Sequence, residues 1–154
     1  MPVADDTRTS LIHAAIARLQ TLTELFQKRR QQLAEGVGLT EHQWGVLEEI
    51  STDHFMPSMF ARQRESSAAA VSKTIRQLVD KGLVEVSLGS GDARQRNYDL
   101  SAEGQRVMVA LRQSRSHAIE RVWTQLDPTQ LSTFIAFADD LTARLSDLAE
   151  SNAE

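Results

Sequence analysis

The chain has 154 residues, 41% apolar and 25% charged, with a net charge of −4, which suits one domain with a core of its own. No run reaches the ~18 apolar residues of a membrane span. MPVADDTRTS lacks the basic and apolar regions of a signal peptide, and the absence of cysteine excludes disulfides, thiolate metal sites and thiol redox sensing, all as in a cytoplasmic protein.

The first predicted element is a helix over 6–34. Leu11, Ala15, Leu19, Leu22, Phe26 and Leu33 recur at helical spacing, and Ile12, Ile16 and Leu25 widen the stripe. Glu35-Gly36-Val37-Gly38 supplies glycines suited to stopping it. Thr40-Glu41-His42-Gln43 has the form of a capping box, so a second helix of about 12 residues should follow and bury Trp44, Leu47 and Ile50. Asp53 to Pro57 should break it, and a short helix is expected over 58–65.

Residues 66–84 read SSAAAVSKTIRQLVDKGLV, a helix with the narrow apolar stripe Val71, Ile75 and Leu78, ended at Lys81-Gly82. Val84 to Leu88 alternates with period two, Gly89 to Asp92 is a turn, and Gln95 to Leu100 returns, so the pair forms a β-hairpin. Ser101 is placed to cap a helix over 102–125, and Asp127-Pro128 to start another running to about 149. That last helix is expected to bury Leu131, Phe134, Ile135, Ala138, Leu141, Leu145 and Leu148. The fold class is therefore mainly α with a small β-hairpin wing. Residues 1–154 are expected as one domain, with 39–100 forming a winged helix-turn-helix and 6–34 and 102–149 forming long helices for dimerisation.

Charge follows the same division. Residues 1–54 and 101–154 each carry a net −3, whereas 55–100 carry a net +2. Affinity for a polyanion depends on local cation density, not on whole-chain charge. With Val71, Ile75 and Leu78 inward, helical geometry turns Ser66, Ala69, Lys73, Arg76 and Gln77 outward. Long donors beside small residues suit a helix lying in the major groove of double-stranded DNA. Lys73 and Arg76 can pair with guanine or phosphate, and Gln77 with adenine. Asp92 can orient Arg94, and Arg96 can meet phosphate. A solvated helix face and a surface hairpin with a rim salt bridge are the plainer alternatives.

Leu39-Thr40…Gln43-Trp44…Leu47, Val71-Ser72-Lys73…Leu78 through Val84, Asp92-Ala93-Arg94-Gln95-Arg96 and Leu100-Ser101…Gly104 together resemble the MarR family of winged-helix transcriptional regulators. The match in order and length of elements runs over about residues 8–150. The turn Arg62-Gln63-Arg64-Glu65-Ser66-Ser67 departs from it, with Glu65 near the family's glycine. This sets Arg62 and Arg64 near the DNA side with Ser66 and Ser67. The resemblance implies a homodimer that binds DNA, usually as a repressor, with Arg94 in the minor groove. It also implies release by a small aromatic acid or phenol, for which Arg18 is a carboxylate partner and His13, Trp44 and Met59 are lining residues. A core place for Trp44 and a solvated one for His13 are the plainer readings.

His42 and His117 have no second ligand at metal spacing, no phosphate loop or nucleophile motif occurs, and neither metal, cofactor nor enzymatic activity is expected. The remaining alternatives are a winged-helix protein without an effector and a helical protein-binding adaptor.

Overall fold

The computed structural model describes residues 3–52, 55–64, 66–89 and 96–151. In chain order these form α1 (Val3–Gly36), α2 (Glu41–Ile50), α3 (Pro57–Gln63), α4 (Ala68–Asp80), β1 (Val84–Leu88), β2 (Arg96–Leu100), α5 (Ala102–Val122) and α6 (Pro128–Ser151). The order is the expected one. Contacts group the chain into two compact units, 1–114 and 115–154.

In the first unit, the stops of α1 and α4 use the same device. Gly38 and Gly82 sit at φ +74° and +72°, in the left-handed region that suits a residue without Cβ. In each turn the following amide reaches back to a helix carbonyl, Leu39 N–H to Ala34 and Leu83 N–H to Leu78. Lys81 Nζ donates to the Gly38 carbonyl at 2.6 Å, so the residue before one stop ties down the other. The capping box of α2 forms as the sequence predicts. Gln43 N–H donates to Thr40 Oγ1 at 3.1 Å and Thr40 N–H donates to Gln43 Oε1 at 3.0 Å.

Element ends differ from expectation by a few residues, and two of them have a local cause. Pro57 lies in the expected break after α2 and is itself the first residue of α3, where its missing N–H costs nothing. The helix expected to 125 ends at Val122 and tightens into a 3₁₀ turn over Trp123–Gln125.

The core joins α1, α2, α3, α4, β1 and α5. Ala34, Trp44, Val46, Leu47, Phe60, Val71, Leu78, Val84 and Leu111 are all buried in it. Burying each large apolar side chain contributes about 1.5–3 kcal/mol before entropy is counted. β1 and β2 pair antiparallel with Val86 opposite Tyr98 and Leu88 opposite Arg96. The apolar residues of β1 therefore share a face with Arg96, Tyr98 and Leu100. The start of α5 is pinned to this ribbon. Ser101 N–H donates to the Leu83 carbonyl, its hydroxyl donates to the Gly82 carbonyl at 2.6 Å, and Gly104 N–H donates back to that hydroxyl. A Cβ on Gly104 would lie 2.1 Å from the Leu83 oxygen, so only glycine permits this approach.

Both long terminal helices carry apolar stripes that stay exposed, and for α6 this departs from expectation. On α1, Leu11, Ile12, Ile16, Leu22, Leu25 and Phe26 are exposed. In the second unit no residue of α6 is buried, whereas Leu131 to Leu148 were expected to be. Phe134, Ile135, Leu145 and Leu148 are each at least 45% exposed, and Leu131, Ala138 and Leu141 are half-buried. The spacing gives an apolar face but does not say what covers it. Asp127 caps α6 through its carboxylate, which accepts from Thr129 N–H at 2.9 Å. The Arg144 guanidinium is held above its ordinary pKa by its hydrogen bond to Asp140 and by that carboxylate's charge.

Candidate nucleic-acid interface

α3 and α4 form the helix-turn-helix. Ser67 caps α4, its Oγ accepting from Ala70 N–H at 3.0 Å, and Ser66 N–H donates to the Ala61 carbonyl at 2.8 Å. These bonds close the turn that the sequence left without its glycine. Ser67 is exposed and Ser66 half-buried, so both polar side chains sit at the N-terminal end of α4. Arg62 and Arg64 are exposed beside it. Arg64 is partly engaged, lying 3.9 Å from Glu49 and 5.7 Å from the Phe60 ring centre.

α4 is strongly two-faced. Val71, Thr74, Ile75 and Leu78 are buried, while Ala69, Lys73, Arg76 and Gln77 are exposed as predicted. Thr74, absent from the predicted stripe, is accommodated because its hydroxyl donates to the Ala70 carbonyl. Gln77 is not a free amide. Its Oε1 accepts from Gln43 Nε2 at 3.1 Å, which uses one of that oxygen's two lone pairs and limits how the amide can turn.

Arg76 of α4 and Arg96 of β2 open onto one cleft of about 330 Å³, together with Ser72. Ile75, Val79, Val86 and Tyr98 line the same cleft, so helix and ribbon bring two arginines to the rim of a partly apolar concave surface. Ser72 escaped the sequence reading, although it lies four residues before Arg76 on the same helix face. Asp92 and Arg94 lie outside the described residues.

The residues expected to bind an effector are not brought together. His13 and Arg18 are exposed on α1, Met59 is exposed on α3, and Trp44 is 2% exposed in the core. The Arg30 guanidinium lies 4.1 Å from the Trp44 ring centre and 3.6 Å from Glu48, and the indole N–H has no hydrogen-bond partner among the described residues. None of the four lines a cleft of about 710 Å³ between the end of α2, β2 and α5. Phe55, Tyr98 and Met108 give that cleft an apolar side, and Asn97, Asp99 and Arg112 give it a polar one. Phe55 and Tyr98 meet edge to face at 6.0 Å. Among the described residues no group of His, Asp and Glu could hold a metal, and no helix is long and apolar enough to cross a membrane.

This arrangement of helices and ribbon is a winged helix-turn-helix. A sequence model of the MarR family matches residues 37–95. Transcriptional regulator AdcR of Streptococcus pneumoniae serotype 2 (strain D39 / NCTC 7466) is 31% identical over 112 residues, 71% of this chain and 77% of that protein. The chain thus belongs to the MarR family of transcriptional regulators, which are not enzymes. Solved structures share the fold at lower identity. The MarR family transcription regulator SP03579 superposes with a TM-score of 0.83 at 19% identity, over 96% of this chain and 98% of its own. Staphylococcus aureus MepR, crystallised with DNA, gives 0.64 at 20% identity, over 84% and 93%. Staphylococcus aureus MarR, in complex with salicylate and kanamycin, gives 0.74 at 16% identity, over 90% and 94%.

Proposed function

We propose that the chain is a cytoplasmic, homodimeric, sequence-specific DNA-binding repressor, with α4 in the major groove and the hairpin alongside it. The observation that carries this is the shared cleft of Arg76 and Arg96. Two arginines from separate elements line one cleft beside a helix whose other side is core, which supports contact with a phosphate backbone flanking a groove. Lys73, Arg76 and Ala69 are the base-facing set. Arg62, Arg64, Ser66, Ser67, Ser72 and Arg96 are the backbone-facing set, and Arg94 with Asp92 extends contact to the minor groove. An adaptor for proteins has no need of this cationic convergence. The apolar faces of α1 and α6 support pairing of two copies, which would set two recognition helices about one duplex turn, ~34 Å, apart.

Selection of bound duplexes from a random pool tests the reading. The expected product is a two-fold symmetric site. Arg76→Ala and Arg96→Ala should each weaken binding to it roughly tenfold or more, because a charged contact to a base or phosphate contributes about 1–3 kcal/mol. Affinity should fall steeply with salt as phosphate counterions are released. Unselective recovery of the pool, or a flat salt response, would favour the adaptor.

The larger cleft supports control by a small aromatic acid or phenol. Salicylate, found with the Staphylococcus aureus relative, has this chemistry. Arg112 would face the acid and Phe55 and Tyr98 the ring, in place of the Arg18, His13, Trp44 and Met59 set. Because Asn97, Tyr98 and Asp99 belong to β2, an occupant would bear directly on the wing. Titrating a selected duplex complex with salicylate and phenol tests this. Release abolished by Arg112→Ala supports it, and a complex indifferent to both leaves a winged-helix regulator without an effector.

A further inference from the structure

We propose that Gln43, inside the capping box of α2, is a positioning residue that fixes which hydrogen-bonding group Gln77 turns toward DNA, and so selects guanine at one position of each half-site. The inference rests on the reading of α4 as the recognition helix and goes beyond it.

A side-chain amide can point either way, and its orientation is settled by its partners. Here the chain of partners begins at a group that allows no choice. The Thr40 backbone N–H can only donate, and it lies 3.0 Å from Gln43. The Gln43 atom facing it must therefore be the carbonyl oxygen. This leaves Gln43 Nε2 as the atom facing Gln77 at 3.1 Å, and Gln77 must answer with its own oxygen. Gln43 is only 7% exposed and has both amide atoms engaged, so turning it over would break both bonds at once. The relay ends at Gln77, which is exposed on α4. Its oxygen is held by Gln43, so the amide can turn its two Nε2 donors, rather than that oxygen, toward a duplex.

A group that leads with two donors, its oxygen already engaged by Gln43, matches one major-groove edge best. Guanine offers the adjacent acceptors N7 and O6, whereas adenine pairs an acceptor with a donor and cytosine offers a donor. The expectation from the sequence, Gln77 with adenine, is thus replaced by Gln77 with guanine. The capping box has a second role: besides starting α2, it carries the fixed polarity of a backbone N–H across to the helix that reads the duplex.

Two substitutions reverse that polarity by different routes. In Gln43→Glu, one carboxylate oxygen still accepts from Thr40 N–H, as glutamate does in capping boxes. The other cannot donate, so Gln77 must turn its NH₂ inward and its oxygen outward. In Gln77→Glu, Gln43 still donates inward and the second carboxylate oxygen faces out. Random-pool selection should be run on the full-length wild type, both variants and Gln77→Ala, with thermal unfolding as a check on the fold.

The wild type should require guanine at one position per half-site, and Gln77→Ala should lose that preference there alone. Both glutamate variants should shift the same position at least fivefold toward cytosine or adenine, whose edges carry donors. A helix merely weakened by the change would lose affinity on all sequences equally. If Gln43→Glu fails to fold, Gln77→Glu, on the exposed side, still decides the matter. Unchanged preference in Gln77→Glu, or a uniform loss of affinity in both variants, overturns the relay while leaving DNA binding by α4 in place. A wild type that selects no sequence overturns both.

Discussion

Helices α4 and α6 both carry apolar residues at helical spacing. On α4 Val71, Ile75 and Leu78 are 0–5% exposed, while on α6 Phe134, Ile135, Leu145 and Leu148 are 45–58% exposed. The winged unit satisfies itself: α2 and α4 have side-chain caps, its stop glycines adopt the backbone they are suited to, and its core closes within one chain. α6 ends with its apolar side uncovered. An amphipathic pattern therefore identifies a face that needs covering without naming the cover, and the two helices should respond differently to substitution.

The largest effect is expected on the closed side. Leu78→Ala, in a site with no exposure, should destabilise the protein by about 2–5 kcal/mol in denaturant unfolding, largely independent of protein concentration. Ile135→Asp combined with Leu145→Asp should instead act through association. Sedimentation should show the mass of a single chain where the parent shows two, with the dimer dissociation constant raised about 100-fold or more. A pair that remains intact would remove α6 from the interface. Gly104→Ala should destabilise by about 1–3 kcal/mol, because the added methyl meets the Leu83 carbonyl with little room to yield. The smallest effect is expected for Arg30→Gln, about 0.5–1 kcal/mol, from loss of the guanidinium over the Trp44 ring at a half-exposed site. Circular dichroism melts of these two variants would order them, and a larger loss for Arg30→Gln would mean that the α1–α2 contact outweighs the α5 joint.

What could be read from the sequence was local. The Thr40–Gln43 box, the Ser101 and Asp127 caps and the glycine stops depend on residues within a turn of each other, and all formed as expected. The outward set Ala69, Lys73, Arg76 and Gln77 followed from three apolar neighbours on the same helix. What escaped joins distant segments. Gln43 and Gln77 are 34 residues apart, and the need for glycine at 104 comes from a carbonyl at 83. The large cleft gathers the end of α2, β2 and α5, so no contiguous motif announces it. Trp44, read both as a core residue of the second helix and as a lining residue, is buried as its position on α2 predicts.

Ser101 engages Gly82, Leu83 and Gly104 at once, which leaves almost no play where the ribbon gives way to α5. A rigid knot of this kind cannot act as a pivot. If the hairpin tilts as it meets or leaves a duplex, the first turn of α5 must swing with it, and the wall of the cleft carrying Gln105, Met108 and Arg112 changes shape in the same movement.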